Sequence, residues 1–420
     1  MVTGYFLLLR DNPNFARLWL AQVVSLLGDW FSAIALSALV SKYSNGSGLA
    51  VSALLIARFL PPLFVSPFTG VLVDRFNRKH LLILSDVLRV VTALLLLLAN
   101  DPSLLWLIYL LMVFQSCLSA IFEPGRSALL PSVVSGDNLL KANTLSNITW
   151  SVMLAVGGAV GGLVAALFGT ATALLIDAST FALSALILTQ VKTRQTEHPQ
   201  PDPEHKTSRG GFREGLRYVM QNPATAAALF IKLGLSIGNI DAVMIAYGTS
   251  LFIIGEDGTG SMGILYSAFG LGSVIGPLIL NRFNDSSVRI MRRLIIISFT
   301  WVTLGWLLFG FAPTLLLAAL ALMVRAMGGS ATWTYSSTIL QISTPDEYLG
   351  RVFSLDWAGY YLATTISVLI TGILIDTLGH DHIRNIAIGS GIVSIIPLVL
   401  WALAVYWLEQ RQTVPAPAGD

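Results

Sequence analysis

Apolar residues run through this chain in long blocks separated by short polar turns. The pattern has neither the alternation of a half-buried strand nor the narrow stripe of a helix on a soluble core. Twelve blocks reach the ~20 residues that a helix needs to cross a bilayer. They lie at about 15–40, 49–73, 80–99, 103–125, 143–168, 170–191, 223–252, 260–282, 291–311, 314–336, 350–376 and 385–408. No small-residue cleavage site of signal-peptide type precedes the first block, so that span is expected to be retained. One break is long: residues 192–222 are polar and carry Pro199, Pro201 and Pro203, then become an amphipathic helix around Phe212–Met220. His198 and His205 in this stretch have acidic neighbours, but the composition reads as a solvated linker. The predicted organisation is a six-helix bundle over 1–191, the linker 192–222, a second six-helix bundle over 223–408 and a tail at 409–420.

Composition sharpens the pattern. Of 420 residues 55% are apolar and only 11% charged, against about 25% charged in a soluble domain. The mean hydropathy is +0.73. These values exclude a soluble enzyme, a disordered regulator and a nucleic-acid binder. The single cysteine, Cys117, forms no internal disulfide and leaves a Cys-based metal site without a partner. Charge placement sets the orientation, because cytoplasmic loops hold the excess of Lys and Arg. With an inside N-terminus, nineteen of the 25 basic residues face the cytoplasm. Only Lys42 and Arg384 lie outside, and Arg58, Arg89, Lys232 and Arg325 fall within spans. Both termini are therefore expected in the cytoplasm.

The two halves resemble each other. Asp74-Arg75-Phe76-Asn77 follows the second span and Asn281-Arg282-Phe283-Asn284 the eighth, an offset of 207. Glycines precede both (Gly70, Gly276) and basic residues follow both. Internal repeats of this kind are common in transporters. The stretch from Gly70 to Lys79 resembles the Gly-x-Leu-Ala-Asp-Arg-x-Gly-Arg-Lys signature of the major facilitator superfamily, with Asn77 at the second glycine. Asn tolerates a left-handed turn. The resemblance implies an all-α integral membrane fold of twelve transmembrane helices in two pseudo-symmetric six-helix bundles.

Further segments are similar to the drug:proton antiporter branch that includes macrolide, multidrug and siderophore (enterobactin) exporters: Leu27-Gly28-Asp29-Trp30, Ala57-Arg58-Phe59-Leu60-Pro61, Lys141-Ala142-Asn143, Ile176–Phe181 and Gly350-Arg351-Val352. Gly157-Gly158-Ala159-Val160-Gly161-Gly162 partly matches the antiporter Gly-Pro-x-x-Gly-Gly motif, and close helix packing explains the same glycines.

Charges inside spans cost at least ~2.5–3.5 kcal/mol at mid-bilayer, which makes them functional candidates. Asp29 lies roughly 20 Å into the first span and Arg58 near the middle of the second. The two read either as a static salt bridge or as a proton-binding or cation-binding pair, and the exporter resemblance favours the second. Asp177, Lys232, Asp241 and Arg325 form a second tier of coupling or substrate-binding candidates. Lys232 and Asp241, about two and a half turns apart, do not pair within one helix. By resemblance, Gly70, Asp74, Arg75, Arg78, Glu123, Arg126 and Asp356 form a cytoplasmic gate in which Arg78 reaches Glu123 or Asp356, with Asp86 and Arg89 extending it. Trp30, Phe31, Tyr247, Trp333, Tyr335, Trp357, Tyr360 and Tyr361 are candidates to line a substrate cavity suited to bulky apolar or cationic compounds.

These readings imply a non-enzymatic, proton-coupled exporter of amphipathic small molecules in a bacterial plasma (inner) membrane, working by alternating access. It is expected to be monomeric, in contact with lipids, and to bind no nucleic acid, cofactor or metal. The proton gradient is the expected energy source, since no Gly-x4-Gly-Lys-Ser/Thr phosphate loop occurs. The alternative within the same fold is a lysophospholipid or lipid transporter, or a solute uptake symporter.

Overall fold

The computed structural model describes residues 2–134, 138–192 and 211–413, and the regular elements among them are all helices. A span in hydrocarbon must satisfy every backbone N–H and C=O within itself, which a helix does and an isolated strand cannot. In chain order the helices are α1 (Val2–Asp11), α2 (Pro13–Tyr43), α3 (Gly48–Arg75), α4 (Arg78–Leu96), α5 (Leu105–Val133), α6 (Asn138–Phe168), α7 (Thr170–Thr189) and α8 (Gly211–Gln221). They continue with α9 (Pro223–Leu235), α10 (Ile240–Ala246), α11 (Thr259–Leu280), α12 (Val288–Phe311), α13 (Leu315–Ser343), α14 (Asp346–Leu378), α15 (Ile383–Val393) and α16 (Ile395–Thr413).

Among the described residues, 11 helical stretches are long and apolar enough to cross a membrane. The remaining expected span is α4, a 19-residue helix that carries Arg78, Lys79, Asp86 and Arg89. Its charge load sets it apart from the others, and it completes the twelve. The amphipathic linker helix is α8. Most of the linker (193–210) and the end of the tail (414–420), with His198 and His205, lie outside the described residues.

Helix starts carry the repeat into local structure. Pro13 opens α2 after Asn12 and Pro223 opens α9 after Asn222. At such a position the missing N–H costs nothing and φ is already helical. Asn77 caps α4 by accepting from His80 N, and Ser287 caps α12 by accepting from Ile290 N. These pairs are 210 apart.

The seventh span is broken. After α9 the chain passes through Gly238 at φ +63°, resumes as α10 and ends in a π-helical turn, Tyr247–Leu251. A Cβ on Gly238 would collide with Ser390, so the break depends on glycine both for its backbone and for its contact.

The chain forms two compact units. Unit 1 gathers α1–α7 with Ile240–Gly270 and Val368–His380. Unit 2 holds α8, α9, Leu271–Ser367 and α15–α16.

Candidate functional site

Four helices of unit 1 each present a polar stripe at i, i+3, i+4 or i+7, the spacings that share one helical face. From α2 come Ser25, Asp29 and Ser32; from α4, Asp86 and Arg89; from α5, Gln115, Ser119 and Phe122; from α7, Asp177, Phe181 and Ser184. Gly28 lets α2 approach α7, because a Cβ there would collide with Asp177 and Thr180.

The stripes meet in a buried charge network. Arg89, 2% exposed, lies 3.7 Å from Asp86 and 5.1 Å over both Phe122 and Phe181. It donates to Ser25 Oγ at 3.4 Å and also to Ser119 Oγ. Ser184 donates to Asp86 Oδ2 at 2.6 Å and Ser32 to Asp177 Oδ2 at 2.5 Å. The other oxygen of each carboxyl is buried without a hydrogen-bond partner. Gln115, whose Oε1 is likewise unpartnered, neighbours Asp177. Asp29 is half-buried, on the face of α2 that carries Ser25 and Ser32, and no direct ion pair joins it to Arg58. The network thus gathers the carboxyls of Asp29, Asp86 and Asp177 near one buried guanidinium, that of Arg89.

Arg58 sits over the rings of Trp30 and Phe59, 5.7 and 6.0 Å from their centroids. Trp30 packs on Tyr266 at 5.3 Å, and the Tyr266 hydroxyl donates to Asp241 Oδ1 at 3.1 Å. The α6 glycines make this assembly possible. A Cβ on Gly157 would meet Trp30, and one on Gly161 the backbone at Trp30–Phe31. On the other face, Gly158 abuts Tyr266 and Gly162 abuts Gly263.

At one end of unit 1, Arg126 pairs with Glu123 at 2.9 Å and reaches Ser146 Oγ at 3.3 Å. Arg78 donates to the Ala128 carbonyl at 2.8 Å. Arg75 is exposed, while Gly70 and Asp74 have side chains outside the described residues. In unit 2, Asp356 is the buried partner of Lys232. Of the two partners expected for Arg78, Glu123 pairs with Arg126 and Asp356 with Lys232.

At the opposite end of unit 1, Asp376 near the C-terminus of α14 caps α3. It accepts from Gly48 N at 2.5 Å, Leu49 N at 3.0 Å and Ser47 Oγ at 3.0 Å. Lys42 pairs with Asp257 at 2.9 Å, and His380 Nε2 lies 3.0 Å from the Gly46 carbonyl.

The aromatic candidates divide. Phe31, Tyr247 and Tyr335 are core residues, 3%, 0% and 3% exposed. Trp333, Trp357, Tyr360 and Tyr361 form one ring cluster in unit 2. Arg325 is buried with its guanidinium 5.2 Å over Trp306. Sequence reasoning offered Asp86 and Arg89 as an extension of the gate and excluded only Asp241 as a partner of Lys232 within one helix; the structure puts Asp86 and Arg89 in the buried network and pairs Lys232 with Asp356. The charge load of α4 was the signal for the network, and no local spacing signalled the Lys232 pair.

The sequence matches the transmembrane secretion effector family over residues 7–412. The chain belongs to this family of major facilitator transporters. Macrolide efflux protein A of Streptococcus pyogenes is 25% identical over 379 residues, covering 88% of this chain and 91% of the relative. The enterobactin exporter EntS of Citrobacter koseri is 25% identical over 419 residues, covering 98% and 97%. Among solved structures, a mutant form of the nucleoside transporter NupG superposes with a TM-score of 0.75 at 12% identity, covering 93% of this chain and 99% of that one. That likeness shows the fold. The chain is thus an integral membrane transporter, and the unit 1 network places several buried charged residues inside its spans.

Proposed function

We propose that this chain is a proton-coupled exporter of amphipathic small molecules, resident in a bacterial inner membrane with both termini in the cytoplasm. The observation that carries the reading is the buried network of unit 1, in which the carboxyls of Asp29, Asp86 and Asp177 outnumber the guanidinium of Arg89. Buried charge is tolerated when balanced, so the network favours a proton on one of its carboxyls. Such a proton also supplies an O–H donor among carboxyl and amide oxygens that lack one. A conformational change that alters the distance of Arg58 or Arg89 from Asp29 changes the affinity for that proton, and this differential interaction couples a gradient to alternating access. Two exporters among the relatives support the direction, and the bias of Lys and Arg supports the orientation.

The test uses purified protein in liposomes with an imposed pH gradient and a fluorescent amphipathic amine. The wild type is expected to move the dye against its concentration gradient. Asp29→Asn and Asp177→Asn are expected to abolish gradient-driven accumulation while leaving downhill exchange of dye. Retention of pH-driven accumulation by both variants refutes the assignment. A response to lysolipids alone would favour lipid transport instead.

A further inference from the structure

Residues 210 apart occupy equivalent places in the two halves, as the openings of α2 and α9 and the caps of α4 and α12 show. At that offset Gln22 corresponds to Lys232 and Ser146 to Asp356. In unit 1 neither residue is charged: Gln22 Nε2 donates to the Ser146 backbone carbonyl at 3.4 Å, while Ser146 Oγ accepts from Arg126. In unit 2 the two residues form a buried ion pair, with Lys232 and Asp356 each 2% exposed. A buried ion pair is often no more stabilising than a neutral replacement, and the fold already accepts two uncharged residues at the equivalent place. Stability therefore does not account for the two charges.

Their surroundings do suggest a use. The Lys232 ammonium occupies Asp356 Oδ2 and lies 4.3 Å from the Trp333 ring centroid, with Trp357 at 5.8 Å and Phe353 at 6.0 Å. Asp356 Oδ1 is buried without a partner. Beside it the rings interlock: Trp333 lies 4.9 Å from Tyr360 and 5.2 Å from Trp357, and Trp357 lies 5.7 Å from Tyr361. Trp357 is 43% exposed, so the cluster has an open wall. Aromatic faces attract cations, and the orphaned carboxylate oxygen lacks only a donor.

We propose that Asp356 and the Trp333–Trp357–Tyr360–Tyr361 cluster form a binding site for the cationic group of an amphipathic cargo, with Lys232 as the resident cation that competes for it. The exporter reading supplies the notion of a cargo; the site itself rests on unit 2. Arrival of a cargo cation shares or takes the Asp356 carboxylate, and the rings receive its apolar body.

The test compares two probes of the same shape and opposite charge, tetraphenylphosphonium and tetraphenylborate, by calorimetric titration of the purified full-length protein. The phosphonium is expected to bind about tenfold more tightly, the difference that one ionic and ring contact supplies. Asp356→Asn should weaken it about tenfold, and Lys232→Gln, which removes the competitor, should tighten it severalfold. The double variant Lys232→Gln/Asp356→Ser installs the uncharged residues of unit 1; it should lose the preference for the cation. Trp357→Ala on the exposed wall should weaken the phosphonium at least threefold, and it decides the matter if the double variant does not fold. Equal binding of the two ions, a preference for the borate, or unchanged phosphonium affinity in Trp357→Ala overturns the proposal. Transport by the wild type in pH-loaded liposomes separates the two readings. Cation-selective binding without pH-driven transport sinks the coupling and leaves the site; pH-driven transport without charge discrimination does the reverse.

Discussion

Asp376→Ala removes the acceptor on which the first turn of α3 closes. Three donors converge on that carboxylate, at 2.5, 3.0 and 3.0 Å, and two of them are otherwise unpaired N–H groups of a helix start. Hydrogen bonds to a charged group contribute roughly 1.5–3 kcal/mol each when buried. Asp376 is exposed, so water replaces part of each, and about 0.5–1 kcal/mol per bond is the better figure. A further 0.3–1 kcal/mol comes from the negative charge at the positive end of the helix. The sum is about 2–4 kcal/mol, or roughly a 30-fold to 700-fold shift between the state in which the cap is made and one in which it is broken. The readout is alkylation of Val51→Cys, one turn into α3 and 5% exposed, by a hydrophilic maleimide that reaches both ends of the detergent-solubilised protein, in a Cys117→Ser background. Its rate should rise at least tenfold in Asp376→Ala, as long as the open state remains the minor one. Leu82→Cys, buried near the other end of unit 1, serves as the control. An unchanged rate at Val51→Cys refutes the reasoning, and so does an equal rise at Leu82→Cys, which would report loosening of the whole unit.

Arg89→Met should strand Asp86 and its neighbours without their cation, lowering stability by about 3–5 kcal/mol. Thermal melting in detergent measures it, and Arg89→Met/Asp86→Leu should regain part of the loss. Gly162→Ala places a Cβ 2.5 Å from Gly263 Cα and 2.8 Å from the Thr259 carbonyl, both backbone atoms. Pushing α11 off α6 should cost about 1–3 kcal/mol, and a Gly162→Ala protein that melts like the wild type contradicts the close approach. Trp30→Ala removes both the support of Tyr266 and the ring beneath Arg58; a loss of about 3–5 kcal/mol is expected, read by urea or thermal denaturation.

Much of the fold could be read from the chain because lipid imposes one requirement on every span: a long apolar helix with its ends marked by Pro, Ser, Asn and basic residues. The α8 helix and the helix start at Pro223 were legible for the same local reason. The partners of the charges were not. Asp29 and Arg58 lie on consecutive spans and invited a pairing, yet the guanidinium of the buried network comes from α4, because Gly28 and the serine stripes draw α2, α4 and α7 together. Depth is a one-dimensional property of a helix; which face meets which neighbour is decided by packing. Asp356 illustrates the same limit. Its position along α14 suggested the gate, and only the rotation of α14 against α9 gives it to Lys232. The aromatic residues separated by the same rule, since Tyr247 and Tyr335 share composition with Trp357 and Tyr360 but point into the core.

The break at Gly238 has a mechanical consequence. The seventh span changes unit within a single turn, between Asn239 and Ile240, at the place where its hydrogen-bond ladder is interrupted. A continuous helix resists bending through its i to i−4 bonds, and that resistance is missing over Ser236–Asn239. By contrast α11 and α14 run unbroken past Gly270 and Ser367. Of these three spans the seventh is therefore the one most easily bent, and a residue with no side chain sets the angle of its bend.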